Sequence, residues 1–148
     1  MDAAEPAEAA VAAPHEARRR FAAARVATLA TVDSDGAPHL VPVTFVVEAD
    51  TVWSAVDAKP KQSPNLRRLA NIRSEPKVSL LVQHWDEDWS ALWWVRAVGL
   101  ASIDERPETV SRIAGMLRQK YRQYGAVEVT GPVIEIAVRR WHGWHPRI

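Results

Sequence analysis

Between Arg25 and Val56 the chain reads RVATLATVDSDGAPHLVPVTFVVEADTVWSAV: three runs of apolar and β-branched residues, separated by turn signals a few residues long. Connections that short join antiparallel neighbours, because parallel strands need a crossover of a dozen residues or more. The first half of the chain is therefore expected to form a meander, with strands at Val26–Val32, His39–Val47 and Thr51–Val56. In DSDGAP, Asp supplies local hydrogen bonds and Gly the positive φ that tight turns need.

The meander is followed by a helical pattern. Ser63 suits an N-cap, Pro64 the first helical position, and Leu66, Leu69 and Ile72 form an apolar stripe that Pro76 ends. KVSLLVQHW reads as a fourth strand, apolar enough to be buried on both faces. DED turns the chain, and SALWWVRAVGLASI forms a long fifth strand in which Gly99 marks a bulge. The clearest helix follows, with Pro107 at its start, Gly125 past its end and Val110, Ile113, Ala114, Leu117 and Tyr121 on one face. PVIEIAVRRWHGW gives a sixth strand. HEARRRFAAARVA reads as a short helix before the meander, with Phe21, Ala24 and Val26 to one side, and residues 1–14 as a disordered tail. The pattern is mostly β with appended helices, and its short turns favour a small barrel over residues 15–148. A dinucleotide-binding fold would need regular βα alternation and a Gly-rich first turn, and neither is present.

Composition narrows the function classes. The net charge of +1 gives no general attraction for nucleic acid, so any basic site must be local. With no cysteine, thiolate catalysis, disulfides and cysteine-bound metal are excluded. The acidic, Ala-rich start lacks the basic and then apolar pattern of a secretory signal, and no apolar run has the ~20 residues of a membrane span. The expectation is a cytoplasmic protein with no membrane or nucleic-acid partner.

One local basic site stands out. From Asp57 to Lys77 there are six Lys or Arg against two Asp or Glu. Lys59 and Lys61 alternate along an extended segment that feeds a helix start carrying Ser63 and Asn65. Lysines, unpaired amides and the positive end of a helix together make an anion pocket, with phosphate the natural guest. A solvated helix face fits the same residues. Other constellations are weaker: His84 with Asp86 and Asp88 matches no standard metal set, and WHGWH lies in a Gly-containing segment. There is no GxSxG elbow and no convincing carboxylate pair. With no self-contained catalytic set and no metal site, such a chain binds something or borrows its chemistry from a cofactor.

The runs SDGAPHLVPVTFV, VWSAVDAKPKQSPNLRRLANIRSEPKVSLLV and DEDWSALWWVRAVGLA, in that order, resemble the pyridoxamine phosphate oxidase-like superfamily. Within it they look most like the branch of coenzyme F420-dependent oxidoreductases. The resemblance covers Arg25 to the C-terminus. It implies a split β-barrel (FMN-binding split barrel) homodimer of six or more antiparallel strands, with a flavin or deazaflavin at the dimer interface. On this resemblance Pro42, Val43 and Thr44 face the tricyclic ring, and Ser54 and Ala55 run along the ribityl chain. Lys59 and Lys61 hold the cofactor phosphate beside Ser63 and Asn65, while Trp85 and Trp144 reach the ring or the substrate from the partner subunit. The implied activity is hydride transfer between reduced coenzyme F420, or alternatively FMN, and a conjugated organic small molecule. The competing readings are an FMN oxidase or reductase of the same fold, a non-catalytic flavin, F420 or haem carrier, and a single-strand nucleic-acid binder.

Overall fold

The computed structural model describes residues 9–56 and 65–146. In chain order the elements are β1 (Ala9–Ala12), α1 (Pro14–Ala23), β2 (Ala27–Val32), β3 (Pro38–Val43), β4 (Val46–Glu48), β5 (Thr51–Ala55), α2 (Asn65–Ser74), β6 (Lys77–His84), β7 (Trp93–Asp104), α3 (Pro107–Lys120) and β8 (Val133–Pro146). Single 3₁₀ turns at Trp89–Ala91 and Arg122–Gly125 precede β7 and follow α3. All the strand pairs are antiparallel, in the order β3-β2-β6-β7-β8-β5-β4, with β1 on the second half of β8.

That order explains the closure. Its two ends, β3 and β4, are consecutive in sequence and separated only by Thr44 and Phe45. What reads as one strand from His39 to Val47 is two: the first pairs with β2, and the second crosses to β5. A strand that changes partners at a corner brings the two ends of the sheet path together and curls the sheet into a barrel, with β3 and β4 as its end strands.

The Asp33 turn behaves as its sequence requires. Gly36 has φ 83°, and the Asp33 carboxylate accepts from the amides of Asp35 and Ala37, both at 2.9 Å. At the other end of the sheet β8 carries one extra residue, Arg139, so that Val98 faces Arg140 but Gly99 faces Val138. This is the bulge expected at Gly99. It frees the amide of Val138 to donate to the Asp50 carbonyl at 2.8 Å, tying β8 to the β4–β5 turn.

Two cores result. The barrel interior packs Phe21 of α1 against Phe45 and Trp141, with ring centroids 4.9 and 5.3 Å apart. Burying each phenylalanine contributes about 2–3 kcal/mol. The second core lies under α3, whose Val110, Ile113 and Leu117, together with Tyr121 just past its end, meet Val46, Trp53, Ala55 and Val133. The apolar stripe read from the sequence is thus buried, Ala114 included.

Three expectations are corrected. Ala9–Ala12 form a strand on β8 rather than part of a tail. β6 alternates between buried and open positions instead of being buried on both faces, because no helix covers its outer side among the described residues. Val26 lies beyond the end of α1 and is exposed; the buried face of that helix is Ala17 and Phe21.

Candidate functional site

The corner at Thr44–Phe45 has to satisfy backbone groups that leave one ladder before joining the next. Side chains from distant parts of the chain do this. The Ser54 hydroxyl donates to the Thr44 carbonyl at 2.8 Å. The Phe45 amide donates to the Tyr121 hydroxyl at 3.1 Å, and the Phe45 carbonyl accepts from Lys120 Nζ at 3.1 Å. The proton of Tyr121 Oη has two carbonyls in reach, Phe45 and Arg25, both at 3.1 Å. Thr44 Oγ1 and Tyr124 Oη share a hydrogen bond of 2.7 Å.

Beside this corner lies a pocket of about 390 Å³, lined by Arg25, Thr44, Tyr121, Gln123, Tyr124 and Val127. The guanidinium of Arg25 sits over the Tyr121 ring, 4.6 Å from its centroid, and donates to the Lys120 carbonyl at 2.8 Å. Lys120 is held by the Ala22 and Phe45 carbonyls, its amine 3.7 Å from the Phe45 ring centroid. Among the described residues neither Arg25 nor Lys120 forms an ion pair with a carboxylate. Burial, and then the Arg25 charge, push the Lys120 amine down to about 8. Burial raises the Tyr121 hydroxyl above its ordinary value, so it stays a neutral donor.

The residues singled out in the sequence are distributed as follows. Pro42 and Val43 end β3, an edge of the sheet path where proline is tolerated because one side of the strand is unpaired. Thr44, Ser54 and Ala55 are brought together by the corner, and the Ser54 side chain is buried and spent on Thr44. Lys59, Lys61 and Ser63 lie outside the described residues. Asn65 is the first residue of α2. Trp144 is buried and stacks on Trp94 at 6.3 Å, whereas Trp85 is exposed beside Trp89. The ladder Pro42–Thr28–Leu81–Arg96–His142 sets the end of β3 four strands away from β8, roughly 19 Å around the sheet. Within one protomer Trp144, on β8, therefore stands well round the wall from Pro42, while Trp85 directly follows β6, two strands from β3.

The comparison with family models matches the pyridoxamine 5'-phosphate oxidase model over residues 13–145. The chain belongs to this family. The match takes in the barrel, the corner and all three helices. Among solved structures, a conserved hypothetical protein from Mycobacterium tuberculosis is similar at 25% identity and TM-score 0.76, over 95% of this chain and 88% of that one. An FAD-binding protein from Mesorhizobium loti aligns at 16% identity and TM-score 0.63, over 92% and 95% of the two chains. The FAD binding protein from Mycobacterium smegmatis aligns at 14% identity and TM-score 0.64, over 93% and 98%. The comparison with curated proteins finds no match. The oxidase family member is thus built on the split-barrel fold, mostly antiparallel β with three helices.

Arg25, Lys120, Tyr121 and Tyr124 do not emerge from sequence reasoning as site residues. Tyr121 reads as one more apolar position of α3, and Lys120 as a cation at a helix end. The available signal is the segment QKYRQYG, which places two tyrosines beside two cations around the end of a helix.

Proposed function

We propose that this family member is an oxidoreductase that binds a flavin-type cofactor, coenzyme F420 in preference to FMN, at the interface of a homodimer. It would exchange a hydride with a conjugated organic small molecule. The observation that carries the reading is the Ser54–Thr44 hydrogen bond, which holds the two segments assigned to the tricyclic cofactor side by side at the barrel corner. The family match and the FAD-binding proteins of the same fold support a flavin-type cofactor; the runs around Lys59 and Trp93 support the deazaflavin.

The residues at the corner suit a flat ring. Pro42 and Leu40 are exposed on β3, offering an apolar strand face with few competing donors. Bound there, the cofactor supplies the hydride chemistry. The chain's part is to orient the ring along Pro42–Thr44, with Ser54 bracing that backbone, and to neutralise the phosphate through Lys59 and Lys61 beside Ser63 and Asn65. Trp85 and Trp144, from the second protomer, would wall the ring. The outer face of the sheet favours such a dimer: the row Leu40–Ala30–Ser79–Val98 is small or apolar, Leu40 and Val98 are exposed, and no helix covers it among the described residues.

Fluorescence titration with coenzyme F420, and separately with FMN, tests the cofactor: micromolar or tighter F420 binding with weaker FMN is expected, and the reverse order would overturn the deazaflavin. Replacing Lys59 and Lys61 together by Ala should weaken cofactor binding more than tenfold with circular dichroism unchanged; unaltered affinity would remove the phosphate role. Light scattering at micromolar concentration should give twice the chain mass of 16.5 kDa, and a monomer would eliminate the interface site.

A further inference from the structure

The pocket beside the corner has a composition that the cofactor reading does not use. Its rim carries the Arg25 guanidinium, whose one hydrogen bond among the described residues goes to the Lys120 carbonyl. Its walls are the aromatic rings of Tyr121 and Tyr124 and the exposed side chain of Val127, with the amide of Gln123 alongside. Lys120 stands behind the Tyr121 wall, 5.2 Å from that ring; its amine donates to the Ala22 and Phe45 carbonyls and lies over the Phe45 ring, with no carboxylate partner among the described residues. Two cations thus lie close together with no carboxylate between them. Burial, and then the neighbouring Arg25 charge, lower the amine, so of the two cations the exposed Arg25 guanidinium is the one available to an anion in the pocket.

We propose that this pocket binds the carboxylate of a small planar organic acid, with Arg25 as the anchoring cation and Tyr121 and Tyr124 as flat walls. A guanidinium presents a planar fork that matches a carboxylate with two parallel hydrogen bonds. A volume of about 390 Å³ lies at the small end of ligand pockets, enough for one ring and its substituents. A single exposed cation backed by a readily neutralised amine balances a monoanion better than a phosphate dianion. Thr44 belongs both to this pocket and to the segment assigned to the cofactor ring, so an acid held here would be the hydride-transfer substrate. That last assignment alone rests on the proposed function; the carboxylate site does not.

The test is isothermal titration of the full chain with benzoate as probe, against benzyl alcohol and inorganic phosphate as controls. Benzoate should bind at least tenfold more tightly than either control. Arg25→Gln should weaken benzoate at least tenfold, and Val127→Trp, at an exposed position on the pocket wall, should block it without disturbing the core. Equal binding of benzyl alcohol or phosphate would overturn the carboxylate assignment, as would full benzoate affinity in Val127→Trp should Arg25→Gln not fold. The F420 titration on the same samples separates the two ideas: benzoate binding without cofactor binding keeps the pocket and removes the oxidoreductase, and the converse removes the pocket.

Discussion

Gly99→Ala is expected to destabilise the protein by about 3 kcal/mol or more, in the range reserved for substitutions that force backbone apart. A Cβ built on Gly99 collides with the carbonyl oxygen of Ala137, and lies 2.9 Å from that carbonyl carbon and 3.0 Å from Val138 Cα. All three are backbone atoms, so no rotamer change relieves the clash. Nor can β8 move aside, because the Val138 amide is bonded to the Asp50 carbonyl and Ala137 pairs with Thr51 as well as Leu100. For a domain of this size each kcal/mol lowers Tm by about 2–4 °C, so a fall of roughly 6–12 °C is expected. Gly125→Ala is the control: nothing lies within 4 Å of its added Cβ and its φ is not positive, so Tm should hardly change. A Gly99 variant that melts with the parent would mean that the bulge at Val98–Gly99 is misplaced.

The bulge shows what was legible in the sequence and why. A glycine in an otherwise continuous strand pattern is a local signal, and its structural cause is local too: two backbones approach too closely for a side chain. The same holds for the α3 stripe and for the Asp33 turn, whose hydrogen bonds span no more than four residues. The broken strand was not legible. His39 to Val47 is an unbroken β-favouring run in which nothing marks Thr44–Phe45 as a corner. The break is imposed by partners 76 and 80 residues away, Tyr121 and Tyr124. β1 is another such case. AAVA has little strand preference of its own, and it becomes a strand because the second half of β8 offers it an edge.

The candidate site divides along the same line. The resemblance assigns Pro42–Thr44 and Ser54–Ala55 to the cofactor, and the fold sets these two segments side by side through the Ser54–Thr44 hydrogen bond. Arg25 and the Lys120–Tyr124 segment come from separate stretches of the chain, and each residue alone looks like a surface or helix-end residue. Only the corner gives them a common purpose, because its carbonyls recruit Lys120 and Tyr121 and thereby set the pocket beside them.

If that corner is held as described, Tyr121→Phe should cost about 2 kcal/mol although it removes a single oxygen atom. The ring remains and its packing against Val46, Leu117 and Val133 is unaffected, so the apolar contribution is preserved. What is lost is the one acceptor of the buried Phe45 amide and a donor to the Phe45 and Arg25 carbonyls. The two carbonyls keep alternatives, since Lys120 still donates to Phe45 and Arg25 lies in an exposed loop. The amide has none, and an unsatisfied buried donor carries its full desolvation penalty. Tyr124→Phe provides the contrast: it deletes a partly buried bond to Thr44 Oγ1, a rotatable hydroxyl that can turn elsewhere, and should cost about 1 kcal/mol or less. Urea unfolding of the two variants measures the difference directly, through the midpoint at constant slope. Equal, small losses would mean that the strand breaks at Thr44–Phe45 for some reason other than the Tyr121 hydroxyl. A larger loss in Tyr121→Phe would establish that a side chain arriving from beyond α3 converts one sequence run into the two strands that close the barrel.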